Sequence, residues 1–264
     1  AVMGGIAPGR QADLVVIPDP GSISPQTVIS RGRVVVDSRR ILCDPRPHVY
    51  PEACRRTIRL PQRLTASDFT VDCGTGPRAR VRVMDLVSDL VTREVHLELP
   101  VIDGCLGVDT RNDIVKAAAI DRTFEPGKRF VGFIRGFGLK KGAVACSAAW
   151  DSSDIIVVGA DEADMALAVN RIAELGGGCV AAADEKVAAE VPLPVFGVIS
   201  TEPVGVLAGQ LKAFNSAAGR LGAQSSDPML TLVTLTGAAI PYLRICEEGL
   251  VNLKDDKTRP LLVQ

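Results

Sequence analysis

Between Ala79 and Met84 the residues alternate, Arg80 and Arg82 against Val81 and Val83, a period of two that predicts a strand with one wet and one buried face. Phe69-Thr70-Val71 precedes this run, and Glu94–Leu99, Val115–Ile120, Phe130–Ile134, Ala143–Ala148 and Ile155–Val158 continue the series. Together they predict a mostly antiparallel sheet. Two stretches then change period. After Asp161, a fitting N-cap, Met165, Val169, Ile172 and Leu175 fall on one helical stripe that Gly176-Gly177-Gly178 ends. From Pro203 onward Val204, Leu207, Leu211, Phe214, Ala218 and Leu221 recur at spacings of three and four, and Gly222 stops the helix. Between these two helices, Cys179–Ala183 and Lys186–Val191 flank Asp184-Glu185 as a hairpin would. Leu230–Leu235 and Tyr242–Ile245 predict two further strands.

The first forty residues predict short strands joined by turns. Ala12–Ile17, Thr27–Ile29 and Arg33–Val36 are β-rich runs, with Pro8-Gly9 and Arg31-Gly32 as turn dipeptides. Pro45, Pro47, Pro51 and Pro61 break the stretch Asp44–Pro61, which continues neither a helix nor a central strand and predicts a linker. The expected organisation is therefore α+β: short strands with a Pro-rich linker over residues 1–60, then a mostly antiparallel sheet domain with two main helices over 61–264.

Composition narrows the function classes. Thirty Lys+Arg against 31 Asp+Glu give a formal net charge of −1, which argues against nucleic-acid and anionic-membrane partners. The seven cysteines include no C-x-x-C pair, so neither a zinc ribbon nor a dithiol motif is present. Such dispersal suits a reducing cytoplasm and buried, core-filling thiols. With only His48 and His96, the chain lacks the imidazoles that a zinc or di-metal hydrolase spends on its metals. His48 is expected in an exposed linker and His96 on a solvated strand face. Gly132, Gly136 and Gly138 before Lys140-Lys141 lack the G-x-x-x-x-G-K-[ST] order of a phosphate loop, and a turn with solvated lysines accounts for them. Asp255-Asp256-Lys257 is expected as a solvated tail.

Two groups of motifs carry a family resemblance. Gly4–Val16 (G-G-I-A-P-G-R-Q-A-D-L-V-V) and V-I-S-R-G-R-V-V-V-D at 28–37 resemble the segment of amidohydrolase-superfamily enzymes that follows the catalytic barrel and returns to a small β-sandwich. Val131–Ala143, Ile155–Gly159, M-A-L-A-V-N-R-I-A-E-L-G-G-G at 165–178, P-L-P-V-F-G at 192–197 and D-P-M-L-T-L at 227–232 resemble the C-terminal domain of adenine deaminases. The resemblance implies an aminohydrolase that converts adenine and water to hypoxanthine and ammonia, with a divalent metal (manganese, iron or zinc) held in a barrel upstream of Ala1. It also implies that this chain is a C-terminal portion, inactive and metal-free alone. Its partners would be the missing barrel and sandwich segment or a companion chain, a purine substrate, and further copies in a homo-oligomer. Strands of residues 1–40 that normally pair with such a segment would leave unpaired edges.

Within the resemblance, Cys146–Asp154 is similar to the family's S-S-x-A-H-D-S-H-N. Asp151 and Ser152 keep the pattern and are the candidate catalytic residues. Trp150 and Ser153 replace histidines and Asp154 replaces asparagine; these three are the candidate substrate-lining residues. An indole stacks on a purine but neither takes up a proton nor ligates a metal. Two alternatives therefore stay open: a divergent amidohydrolase acting on another amino-heterocycle, or a non-catalytic assembly or ligand-binding module in which Asp151 and Ser152 only cap a turn.

Overall fold

The computed structural model describes residues 2–44 and 48–263, and its backbone divides into two compact units, Ala1–Val49 and Tyr50–Gln264. The prolines at 45 and 47, on which part of the linker expectation rests, lie outside the described residues.

The first unit is an open four-stranded antiparallel sheet in the order β1 (Leu14–Val16), β2 (Thr27–Ser30), β3 (Arg33–Asp37) and β4 (Arg40–Ile41). Arg31 and Gly32 both take positive φ (49° and 80°) at the β2–β3 turn, the backbone twist that a two-residue hairpin favours. The Asp13 carboxylate accepts the Arg31 amide at 2.6 Å and ties β1 to that turn. This hydrogen bond is the main cause holding the Asp13 carboxyl below its usual range. No described residue of this unit is buried, so its sheet has no core of its own.

In the second unit the strands are β5 (Arg78–Leu86), β6 (Thr92–Ile102), β7 (Cys105–Leu106), β8 (Ile114–Asp121), β9 (Arg129–Arg135), β10 (Ala143–Cys146), β11 (Asp154–Gly159), β12 (Gly178–Ala183) and β13 (Lys186–Pro192). They form one nine-stranded sheet in the order β13-β12-β10-β11-β8-β9-β5-β6-β7. Its pairings are antiparallel except β5 with β9, where Val83 faces Phe133. Helix α1 (Glu162–Leu175) covers one face; α2 (Val204–Leu221), α3 (Pro228–Thr234) and a three-stranded sheet of β14 (Leu243–Cys246), β15 (Gly249–Asn252) and β16 (Lys257–Arg259) cover the other. The fold is α+β.

Every residue of β8 and β11 is buried, because apolar layers flank these strands on both sides. Along β11, Ile155 and Val157 join the α1 core while Ile156 and Val158 join the α2–α3 core. Helix α1 begins where the Asp161 carboxylate accepts the Asp164 amide at 2.9 Å, and ends at Gly176, whose φ of 73° closes the last turn.

Several expectations are corrected. Leu230–Leu235 is largely helical: Asp227 caps the Leu230 amide and Pro228 opens α3, so the apolar run that suggested a strand is one helical turn after another. Phe69 closes a 3-10 turn, Ala66–Phe69, whose Thr65 cap and Asp68 bond each other's backbone amides, so Phe69-Thr70-Val71 forms no strand. Arg82 is buried, since the segment 260–263 runs along β5; Arg82 donates to the Pro260 carbonyl and, at 2.6 Å, to Glu94. His96 lies on the exposed strand face expected of it, with its ring nitrogen 2.9 Å from the same Glu94 carboxylate. Asp255 and Asp256 lie in the β15–β16 turn, where Asp255 pairs with Arg259, and Lys257 begins β16. Only Cys146 and Cys179 are buried; the other five cysteines are half-exposed. Residues 50–61 are more than a linker, because Ile58 and Leu60 pack on the α1 core.

The two halves of α2 differ. Phe214, Ala217, Ala218 and Leu221 are buried, whereas Val204 and Val206 are exposed. Phe214→Ala is expected to lower the urea-unfolding free energy by about 3–5 kcal/mol. Val206→Ser is expected to change it by less than about 0.5 kcal/mol, and a comparable loss at both positions contradicts this packing.

Candidate active site

The connection between β10 and β11 crosses one end of the nine-stranded sheet, and every side of it is fastened. Ser147, wholly buried, accepts the Gly178 amide at 2.9 Å and donates to the Gly197 carbonyl at 2.6 Å. The Trp150 amide donates to the Val233 carbonyl at 2.9 Å, and the Thr236 hydroxyl donates to the Trp150 carbonyl. Asp151 takes a φ of 59°, a left-handed conformation that Asp tolerates, and its carboxylate accepts the Ala238 amide at 2.9 Å. Ser153 donates to Asp121 at 2.9 Å, and the Ser152 hydroxyl accepts the Asp154 amide at 3.3 Å.

Depth separates the five sequence candidates. Trp150, 47% exposed, and Asp151 face solvent; Ser152 and Ser153 are half-buried; Asp154, only 1% exposed, sits inside the sheet end. Trp150 therefore offers an accessible indole face, whereas Asp154 presents nothing to the surface.

Electrostatics at this end are unusual. Asp154 faces Asp121 across β11 and β8, and neither Asp154 carboxyl oxygen has a hydrogen-bond partner. Burial, reinforced by the Glu247 and Asp121 carboxylates and opposed by the Ser152 hydroxyl, pushes the Asp154 carboxyl up to about 7. Asp121 goes the other way: burial would raise it, but the amides of Glu125, Thr123 and Phe124 and the Ser153 hydroxyl hold it below the usual range. Arg122, 7% exposed, donates to the Ser147 carbonyl at 3.3 Å and leaves its Nε without a partner. Two neighbouring carboxyls thus have pKa values driven apart, a pattern that proton-transfer sites share with some structural ones.

Ser147, Asp121, Arg122 and Glu247 complete this constellation and were not singled out from the sequence. Asp121 and Arg122 end an apolar strand, a signal that was readable; nothing local marks Glu247. The glycines and lysines at 132–141 build no phosphate cradle, since Lys140 donates to the Thr110 carbonyl at 2.7 Å and Lys141 pairs with Asp184 at 3.0 Å. Among the described residues, no group of three or more His, Cys, Asp and Glu side chains could hold a metal ion. Among the described residues, no helix is long and apolar enough to cross a membrane.

These features define an α+β domain that presents a hydrogen-bonded aromatic and acidic loop at one sheet end. Residues 89–257 match the family model for the adenine deaminase C-terminal domain, and the chain belongs to that family. It is 38% identical over 252 residues to an adenine deaminase of Moorella thermoacetica, covering 95% of this chain and 42% of that relative. An adenine deaminase of Desulfatibacillum aliphaticivorans is 39% identical over 251 residues (95% and 43%), and one of Brucella melitensis biotype 1 is 36% identical over 248 (94% and 42%). The chain thus spans about two fifths of the length of the curated relatives it matches.

Asp154 makes stability depend on pH with a defined sign. A carboxyl raised from 3.8 to about 7 on folding binds its proton more tightly in the folded state. Its stabilising contribution is complete below pH 4 and is lost as pH rises to about 7, at up to about 1.4 kcal/mol per pH unit. Asp154→Asn is expected to remove this slope and to exceed the parent chain in stability at pH 8, read by urea unfolding from pH 4 to 8. Parallel curves for the two proteins would show that Asp154 ionises freely.

Proposed function

We propose that this chain is the C-terminal part of an adenine deaminase-like aminohydrolase, which converts adenine and water to hypoxanthine and ammonia. The observation that carries the reading is the match to relatives named adenine deaminase, which extends over 95% of the chain yet only 42% of the relative. The metal implied for such an enzyme, whether manganese, iron or zinc, does not fit the donor sets among the described residues, so no step is assigned to it in this chain. It belongs to the portion of the longer protein outside these residues.

Residues 1–60 then supply part of an amidohydrolase-type β-sandwich with its linker, and residues 61–264 the family domain. The open sheet β1–β4 supports the first assignment: with no buried residue, it gains a core only by packing on additional polypeptide. The loop Trp150–Asp154 lines or closes the site. Trp150 stacks on the purine ring. Asp151 and Ser152 provide polar contacts to the reacting edge, whereas Ser153, bonded to Asp121, and the buried Asp154 hold the loop from below instead of lining the substrate as their motif positions suggest. A cytoplasmic location and a homo-oligomeric state complete the proposal, the former resting on dispersed, unpaired cysteines.

One observation favours a second reading, a non-catalytic assembly module. The Asp151 carboxylate already accepts the Ala238 amide, as a turn-capping residue would. A substrate other than adenine is the third outcome, since Trp150 and Ser153 carry no imidazole. Ammonia release from adenine separates these readings. The 264-residue chain is expected to release none with manganese, iron or zinc. The longer protein is expected to turn over, and Asp151→Ala in it to lower kcat by about 100-fold with the far-ultraviolet circular dichroism of the folded protein retained. Turnover by the chain alone overturns the proposal, and unchanged kinetics of the variant supports the module.

A further inference from the structure

Strands β10 and β12 are neighbours in the middle of the sheet half that carries the candidate loop, with Cys146 directly opposite Cys179. The Ser147 amide donates to the Gly178 carbonyl at 3.0 Å, so residues 147 and 178 form the hydrogen-bonded pair. Residues 146 and 179 are therefore the non-hydrogen-bonded pair, where Cα atoms stand about 4.5 Å apart and side chains approach most closely. That separation lies within the range a disulfide spans, roughly 4.4–6.8 Å. The Cys179 thiol points at Cys146, Sγ to Sγ 3.1 Å. Both residues are wholly buried, and flanking strands hold the pair from either side, β11 beside β10 and β13 beside β12. Cys146 is also the last residue of β10 before the loop, and Cys179 follows the glycine that bonds Ser147.

We propose that Cys146 and Cys179 are a redox-reactive pair that a low-molecular-weight disulfide oxidises to a cross-strand disulfide at the foot of the Ser147–Ser153 loop. In the first step one protein thiolate attacks the small disulfide, forming a mixed disulfide and releasing one small thiolate, which takes up a proton. In the second the other protein thiolate attacks the mixed disulfide at the protein sulfur and displaces the second small thiolate. Two protein thiols lose two protons and two electrons, and one small disulfide becomes two thiols. Contact with Cys146, together with burial, holds the Cys179 thiol well above its usual pKa, so attack proceeds through transient strand opening and is slow. Rotation of the two side chains closes the sulfurs from 3.1 Å to bonding distance at the existing strand separation, which joins β10 to β12 beneath Ser147 and fastens the loop covalently. This inference does not depend on which reaction the longer protein performs.

The test is a thiol–disulfide titration of the folded chain with oxidised glutathione, quenched with N-ethylmaleimide, digested and mapped by mass spectrometry. The expected product is a peptide pair joined at Cys146 and Cys179, two hydrogens lighter than the reduced pair and split by dithiothreitol. It should appear at least about tenfold more slowly than glutathione adducts on the five half-exposed cysteines. Cys146→Ser and Cys179→Ala should each abolish the joined peptide while keeping the far-ultraviolet circular dichroism of the parent. Chymotryptic cleavage after Trp150 should slow by about tenfold in the oxidised protein. Both thiols remaining reduced while the other five are modified would overturn the proposal, as would a glutathione adduct on Cys146 that never closes. Equal cleavage of the oxidised and reduced proteins would overturn its loop-fastening half.

Discussion

Burial of β8 and β11 on both faces is the constraint on which the remaining structure depends. A strand covered on two sides has no position for an unpaired polar side chain except at its ends. Lys116 shows the cost of violating this along the strand: its ammonium is held by the Glu162 carboxylate at 2.6 Å and the Phe69 carbonyl at 2.9 Å, which ties β8 to α1 and to the preceding 3-10 turn. Elsewhere polarity collects where these strands stop. Asp121 ends β8 and Arg122 follows it, Asp154 begins β11, and Ser147 follows β10. The candidate site is thus a consequence of the sheet's packing: the end of the sheet is where acidic and hydroxyl side chains are tolerated.

Tolerance is incomplete at Asp154. Asp121, beside it, accepts three backbone amides and a serine hydroxyl, and so ionises easily. The Asp154 carboxyl accepts no backbone amide, and burial beside the Glu247 and Asp121 carboxylates keeps its proton on into the neutral range. A neutral acid here can remain buried between β8 and the β14–β15 turn without an ion pair, which an ionised one could not. The same end of the sheet carries the left-handed Asp151 and the accessible Trp150. Rigid bonding underneath and an exposed indole on top suit a loop that meets another surface.

Much of the fold was legible along the chain because its signals are local. Asp161 and Gly176 bracket α1, and Pro203 and Gly222 bracket α2, as their capping chemistry and glycine stops suggest. Leu230–Leu235 was misjudged because a short apolar run has no period that separates strand from helix, and the deciding Asp227-Pro228 cap precedes it. Arg82 departs from expectation for a nonlocal reason: the segment that covers it, and the Asn252 that completes the Glu94 cluster, come from the far end of the chain, whereas the neighbouring His96 stays on the solvated face. At the site, Trp150–Asp154 was recognisable from its motif, but the depth of Asp154 and the proximity of Glu247 arise only when β14 and β15 fold over the sheet. The exposed sheet of the first unit follows the same logic, since alternation reveals strands but not whether a second layer covers them.

In the proposed enzyme the metal is held outside these residues, while this chain contributes a packed domain and a loop. Equilibrium dialysis of the 264-residue chain against manganese(II), with metal content read by atomic emission, tests this most directly. No stoichiometric site with a Kd below about 10 µM is expected, because the described residues offer no cluster of metal-binding side chains. One equivalent or more retained at that affinity, and lost on denaturation, would contradict that expectation.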